Sequence, residues 1–355
     1  MITEQEGIKR NLERTLYVLS GILVFVLSIK VLRESVSVLT PFLKSIFLAL
    51  DLSPVNSLAF GWLTSYAIMS GSPIAALSLN LFDAGVIGTK SSFLMVFGSR
   101  LGAAFILVAI GLVEYLRGKS DLVDSMSVAL LTFIVTYLVF IPGLAVSYLL
   151  FHSHFMKYFS FAVPSGFITA IDSFFGPVSS FFLSSIGAPL SFFLSLVLLY
   201  LSLSTFDRAF QGIEVKEAKS SWINYMMRKT YFSFILGALV TLAAQSVSLS
   251  LGIIVPLYLK GYVQRRDIIP YIMGANLTTF IDTFFVALIL NNVVAQEIVI
   301  AVMVGNLIVT ALFLIGYKYT YEIIVRSMNY LLSHEKAIAV FMILLFLIPG
   351  ALFLV

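Results

Sequence analysis

Two short polar runs interrupt otherwise apolar sequence: Met69-Ser70-Gly71-Ser72-Pro73 and Gln245-Ser246-Val247-Ser248. In each case a second interruption begins 28 residues after the first serine: Gly98-Ser99-Arg100-Leu101-Gly102 and Gly274-Ala275-Asn276-Leu277-Thr278-Thr279. Helices that break at such runs leave N–H groups unpaired and expose the positive end of a helix dipole, which suits an anion. Freed carbonyls and side-chain hydroxyls suit a hard cation such as sodium. Serine and threonine oxygens are also ordinary helix-packing groups. What favours a site is their repeated placement beside glycine and proline.

Arg100 is the most costly of these residues. A charge in mid-membrane costs about 3 kcal/mol on insertion scales and usually faces a cavity or a partner. Its planar guanidinium matches phosphate or carboxylate bidentately. Arg100 is therefore expected either to contact an anionic substrate or to replace a bound sodium electrostatically. The competing expectation is a structural salt bridge to Asp282, Asp83 or Asp172. Asp282 follows Thr279 by three residues, near the same helical face. Three roles are open to it: cation ligand, carrier of a coupling proton, or counter-charge to Arg100. Asp83 reads as interfacial. His152-Ser153-His154 lacks a cysteine or nearby carboxylate to complete a metal set, and reads as solvated loop histidines. Neither a Walker A run nor a pair of carboxylates placed for acid–base work is present, so no enzyme is expected, and no cofactor other than a possible sodium ion.

The elements that position these residues follow from composition. The chain is 60% hydrophobic and 11% charged, with a mean hydropathy of +1.03. A soluble fold has no means of hiding that much apolar surface, so a polytopic membrane protein is expected. The apolar stretches lack period-2 alternation, which points to helices and away from an outer-membrane barrel. The absence of cysteine excludes disulfides and thiolate metal sites. The net charge of +4 reads as cytoplasmic loops, not as a nucleic-acid partner. Crossing helices are expected near 16–32, 92–114, 127–150, 188–206, 268–290, 295–317 and 337–355. Segments at about 57–84 and 231–260 are split by the serine runs into arms shorter than the roughly 20 residues a span needs. Each is expected to enter and leave on one face, its non-helical backbone buried or lining a watery cavity. Residues 159–186, broken by Pro164, Gly166, Asp172, Gly176 and Pro177, read as a bent interfacial or re-entrant segment. Residues 207–229 read as a polar loop or surface helix.

The chain also repeats itself. At one fixed offset of 176, Gly61 falls on Gly237, Ser70 on Ser246, Ser72 on Ser248, Gly98 on Gly274 and Leu101 on Leu277. Such weak internal symmetry in an apolar chain marks many transporters, whose sites lie where the copies meet. With the N-terminus inside, the crossings above leave sixteen Lys and Arg inside and five outside, with Arg100 in the membrane. That orientation puts both ends of the first hairpin outside and both ends of the second inside. The expected fold is an all-α polytopic membrane protein of two inverted-topology repeats, 1–185 and 186–355. Each has a re-entrant helical hairpin and a broken transmembrane helix (92–114 and 268–290).

The second copy, Gln245-Ser246-Val247-Ser248 followed by Gly274-Ala275-Asn276-Leu277-Thr278-Thr279, resembles the type II sodium–phosphate cotransporter family. That family carries a Gln-Ser-Ser-Ser run and a Gly-Ala-Asn-hydrophobic-Gly-Thr-Thr run in each of two inverted repeats. The resemblance implies a phosphate site built by the serine hairpins, with sodium nearby. By position it points to Ser70, Ser72, Gln245, Ser246, Ser248 and Asn276 for the anion, joined by Arg100. Asn276, Thr278, Thr279 and Asp282 are the positions for sodium. The departures bear on coupling: Val247 stands where a motif serine is expected, Met69 for glutamine, Gly71 for serine, Arg100 for asparagine, and Ala103 and Ala104 for the threonines. The first copy has lost oxygen ligands and gained a permanent cation. The expectation is a plasma-membrane phosphate carrier working by alternating access, N-terminus cytoplasmic, with the bilayer and a small inorganic anion as partners. Rival readings are a carrier of another anion, a proton-coupled phosphate carrier, an ion channel lined by the same breaks, and a membrane enzyme or lipid-handling protein acting on phosphate head groups. No candidate nucleophile stands out for the last.

Overall fold

Long apolar runs satisfy their backbone polar groups internally only as helices or closed barrels when they sit in lipid, and here every run is helical. The computed structural model describes residues 4–49, 53–116, 122–153, 155–159, 161–210, 227–259 and 263–354. No strand occurs among them. The helices are α1 (Glu4–Ala49), α2 (Pro54–Ile68), α3 (Ser72–Asp83), α4 (Thr89–Ala103), α5 (Phe105–Leu116), α6 (Leu122–His152) and α7 (Ser165–Phe210). They continue as α8 (Thr230–Ala244), α9 (Val247–Leu259), α10 (Arg265–Thr278), α11 (Phe280–Ile289), α12 (Val293–Ile315), α13 (Tyr317–Ser333) and α14 (Glu335–Phe353). His154, Arg117, Lys119 and most of the polar 207–229 stretch lie outside the described residues.

Among the described residues, seven segments are long and apolar enough to cross a membrane: 12–49, 89–113, 126–152, 165–209, 265–289, 293–315 and 336–353. Each contains or overlaps one of the seven crossings expected from hydropathy. The protein is a multi-pass helical membrane protein. Large apolar side chains such as Leu19, Phe42, Phe181, Phe193 and Leu347 are exposed along α1, α7 and α14, the surface that lipid would cover.

Two elements differ from expectation. Helix α1 runs on well past residue 32, because its Lys30, Arg33 and Glu34 are met by partners rather than by water. Lys30 Nζ reaches Asp172 at 2.6 Å and Glu34 at 3.2 Å, and Arg33 Nε donates to Asp83 at 3.0 Å. The second difference is α7. Residues 165–186 form a regular helical arm, not a bent segment, and the bend comes at Gly187 (φ 76°, ψ 162°). Asp172 bonds Lys30 of α1, whereas the Phe206 ring lies against Gly21 of the same helix. In a straight helix residues 172 and 206 would stand about 51 Å apart, while residues 21 and 30 of α1 stand about 14 Å apart. The two arms of α7 therefore fold back on each other at Gly187 and share α1 as a common neighbour. Only glycine adopts that φ, ψ combination without strain.

The core of the protein is two close helix pairs, α2 on α4 and α8 on α10. Their separation is set by glycine. A Cβ on Gly61 would meet the Met95 carbonyl oxygen at 2.3 Å, and one on Gly98 the Leu58 oxygen at 2.0 Å. In the second pair a Cβ on Gly237 would meet the Tyr271 oxygen at 2.0 Å, and one on Gly274 the Phe234 oxygen at 2.0 Å. These four contacts are two contacts repeated at the offset of 176. The glycines at 98, 102 and 274 thus serve close approach of backbones, the packing mode of membrane helices. The helix interruptions fall a few residues later, at Ala104 between α4 and α5 and at Thr279 between α10 and α11.

Candidate functional site

Each serine run ends one helix and starts another. Helix α2 stops at Met69, whose φ of 57° and ψ of 30° turn the chain into the left-handed region, and α8 stops the same way at Gln245 (φ 54°, ψ 18°). These positions again differ by 176. Such a left-handed residue is a common way to close a helix, though it usually is glycine or asparagine. After the first turn, α3 begins at Ser72 with Pro73 in its first turn and no side chain capping its N-terminus. The missing proline N–H is no loss there. After the second turn, Ser246 Oγ accepts from Leu249 N at 3.2 Å and caps α9. The Gln245 Nε2 donates to the Leu242 carbonyl at 2.7 Å, which leaves its amide oxygen for other partners.

Both turns open on one cavity of about 180 Å³. Met69, Ser70, Gly71 and Ser72 line it from the first turn, and Gln245, Ser246 and Val247 from the second. Arg100, Asn276 and Thr279 also border it, together with Ala103 and Ala104 at the α4–α5 interruption. Of the residues singled out from sequence, Ser70, Ser72, Arg100, Gln245, Ser246, Asn276 and Thr279 are thereby brought together. The side chain of Ser248 lies outside the described residues. Thr278 is not brought in: its hydroxyl bonds back to Gly274 O and Ala275 O of its own helix. Thr279 Oγ1 likewise donates to Asn276 O at 2.8 Å, but the residue keeps a place on the wall.

Arg100 is held by both halves of the chain. Its Nη1 donates to Ser72 Oγ at 3.2 Å, and its Nη2 to Asp282 Oδ1 at 2.8 Å and Thr283 Oγ1 at 2.5 Å. The guanidinium also lies over the Phe280 ring, 4.9 Å from its centre. Arg100 is 5% exposed and Asp282 4%, so the pair is shielded from water. Of the three carboxylates that sequence offered as partners, Asp282 is the one used; Asp83 pairs with Arg33 and Asn292, and Asp172 with Lys30. Asp282 therefore serves as counter-charge behind the wall. Two atoms remain unmatched, Arg100 Nε and Asp282 Oδ2. Burial makes unmatched polar atoms costly; Arg100 borders the cavity, whereas Asp282 lies behind it.

Helices α6 and α7 supply walls that sequence reasoning missed. From α6 come Thr132 and Thr136, and Thr136 Oγ1 accepts from Asn276 Nδ2 at 2.8 Å. From α7 come Tyr200, Ser204 and Asp207. Their signal was present in the sequence as spacings of four and three residues, one helical face of polar groups in apolar surroundings. Asp207, read from sequence as the start of a polar loop or surface helix, lies in the last turn of α7.

A multi-pass helical protein with a polar cavity between two serine-lined helix breaks falls in the class of membrane transport proteins. Residues 198–342 match the family model for Na+/Pi-cotransporter. No curated protein and no solved structure matches the chain.

Proposed function

We propose that the protein is a secondary active transporter that carries an inorganic anion, phosphate, in symport with sodium by alternating access. The observation that carries this reading is the shared cavity: the serine turns at 69–72 and 245–247 lie on one pocket with Arg100 and Asn276, although they are 176 residues apart in sequence. The match of residues 198–342 to the Na+/Pi-cotransporter model supports phosphate as the substrate and sodium as the ion. In this reading Ser70, Ser72, Gln245, Ser246, Ser248 and Asn276 contact phosphate through hydroxyls, amides and the free N–H groups that begin α3 and α9. Arg100 offers its unmatched Nε edge to the anion while Asp282 holds the other side of the guanidinium. Sodium sits near Asn276 and Thr279.

The two halves, 1–185 and 186–355, are inverted copies, and the pairs α2–α3 and α8–α9 are re-entrant hairpins from opposite faces. The duplicated glycine contacts and the duplicated left-handed turns support the repetition. The excess of Lys and Arg on the proposed inner face supports the inversion, with the N-terminus in the cytoplasm and the plasma membrane as its home. Pairs α2/α4 and α8/α10 would move as a core against α1, α7 and α14. Radiolabelled phosphate uptake into proteoliposomes, with sodium, proton and potassium gradients imposed in turn, tests the proposal. Uptake driven by an inward sodium gradient is expected. Uptake driven by protons alone reassigns the coupling ion, current beyond carrier turnover indicates a channel, and failure to bind or move phosphate refutes the reading.

A further inference from the structure

We infer that Asp207, on the scaffold helix α7, is the charged ligand of a monovalent cation that must enter the cavity with the anion. The inference rests on the transport reading above and adds a residue and an element outside the repeated motifs. It starts from charge. Among the described residues, the charged or titratable side chains on the cavity wall are Arg100, Asp207 and Tyr200. Walls from α6, α10 and the two serine turns add only neutral groups, among them Thr132, Thr136 and Asn276. Arg100 is already balanced by Asp282 at 2.8 Å. Among the described residues no cation pairs with Asp207: Arg208, its neighbour in sequence, is exposed, and Asp207 Oδ1 is enclosed without a hydrogen-bond partner. The described cavity wall therefore carries about one net negative charge.

A pocket of that sign repels the anion it is shaped to take. Two unit charges 4 Å apart repel by about 4 kcal/mol at the effective dielectric of a protein, so a neutralising cation has to bind first or together. The surroundings suit one. Asp207 sits beside the Ser246 hydroxyl, and Ser204 lies one turn back on the same face of α7. The spare amide oxygen of Gln245 borders the same space. Carboxylate, hydroxyl and amide oxygens are the donors a hard cation prefers, and a proton on Asp207 would cancel the same charge. A carboxylate within a span that meets a hydroxyl but no cation among the described residues is by default a functional group. In the first repeat, where Arg100 and two alanines have removed the oxygen ligands, no comparable donor set remains. The charged ligand is thus supplied by α7 to the same cavity that Asn276 and Thr279 border, and anion and cation share Ser246.

The test is cation binding by the purified full-length protein, read separately from phosphate. Thermal unfolding in detergent is followed against sodium concentration, with potassium as control, and against pH, with and without inorganic phosphate. If sodium is the ion, it stabilises the wild type, and Asp207→Asn weakens the apparent sodium affinity at least tenfold while Asp207→Glu keeps a measurable response. If a proton is the ion, sodium has no effect, and the pH at which phosphate stabilises the wild type is lost as a variable in Asp207→Asn. An Asp207→Asn protein that responds to sodium and pH like the wild type overturns the inference, as does a wild type that responds to neither. Should Asp207→Asn not fold, Ser204→Ala provides the second reading: an unchanged sodium affinity and pH response overturn the site. Failure of phosphate to stabilise the wild type, with the cation response intact, instead counts against the anion assignment.

Discussion

The Arg100–Asp282 pair gives the sharpest quantitative expectation. It joins α4 to α11, hence the first half of the chain to the second, at 2.8 Å with both partners almost fully buried. At an effective dielectric of 20 the direct attraction at that distance is about 6 kcal/mol, and desolvation of both ions takes back much of it. Removing one partner of a buried pair costs about 3–5 kcal/mol, because the other charge is left uncompensated. Arg100→Gln and Asp282→Asn should each destabilise the protein by about that amount. The double variant leaves two neutral amides and should recover about 2–3 kcal/mol of the summed loss, the coupling expected for groups in contact. Chemical denaturation in micelles measures all three. Transport separates structure from recognition: phosphate uptake by the double variant in proteoliposomes should stay below about a tenth of wild type, since the anion has lost its guanidinium. Simple additivity in the stability cycle would show that the pair does not couple the halves. Wild-type uptake by the double variant would show that Arg100 is structural alone.

Other perturbations probe the frame around the cavity. Alanine at Gly61, Gly98, Gly237 or Gly274 drives a Cβ within 2.0–2.3 Å of a backbone oxygen and should cost about 1–3 kcal/mol each. Gly166→Ala, with nothing within 4 Å, should change stability by less than about 0.5 kcal/mol in the same assay; equal losses would refute the packing account. Gly187→Ala should cost about 1–3 kcal/mol through its positive φ. Because the chain has no cysteine, cysteines placed at Lys30 and Asp172 should join efficiently through a short bifunctional maleimide, and failure to do so would contradict the folded-back α7. For the inverted topology, a membrane-impermeant maleimide should label Gly88→Cys from outside and Arg228→Cys only after permeabilisation. Labelling of both from one side would reject inversion.

The residues that were legible in sequence share one property: their chemistry is incompatible with an ordinary spanning helix. Ser70, Ser72 and Ser246 sit at interruptions too polar to ignore, and Arg100 is too costly in mid-membrane without a reason. Its partner was among three carboxylates named in advance, because few charges are available in so apolar a chain. The glycines at 98 and 274 were visible but misread as breaks. Sequence does not distinguish a glycine chosen for backbone freedom from one chosen for its missing Cβ, and here the close approach of α2 and α8 decides. Thr132, Thr136, Tyr200, Ser204 and Asp207 were overlooked because each is a single tolerable substitution in an otherwise regular helix, and only their common face gives them away. Asp207 was further hidden by the polar stretch that follows it, which drew the helix boundary one turn too early. The fold-back of α7 was half visible: Gly187 precedes Pro189 and the crossing was placed to begin at 188, but the arm before it was judged by its prolines. Pro164 in fact precedes the helix, where proline is tolerated, and Asp172, which argued against a helix, is answered by Lys30. Interruptions announce themselves along the chain, whereas a wall is built by helices that look unremarkable one at a time. The cavity is built from both, which is why its serine turns and Arg100 could be read from motifs and the carboxylate on α7 could not.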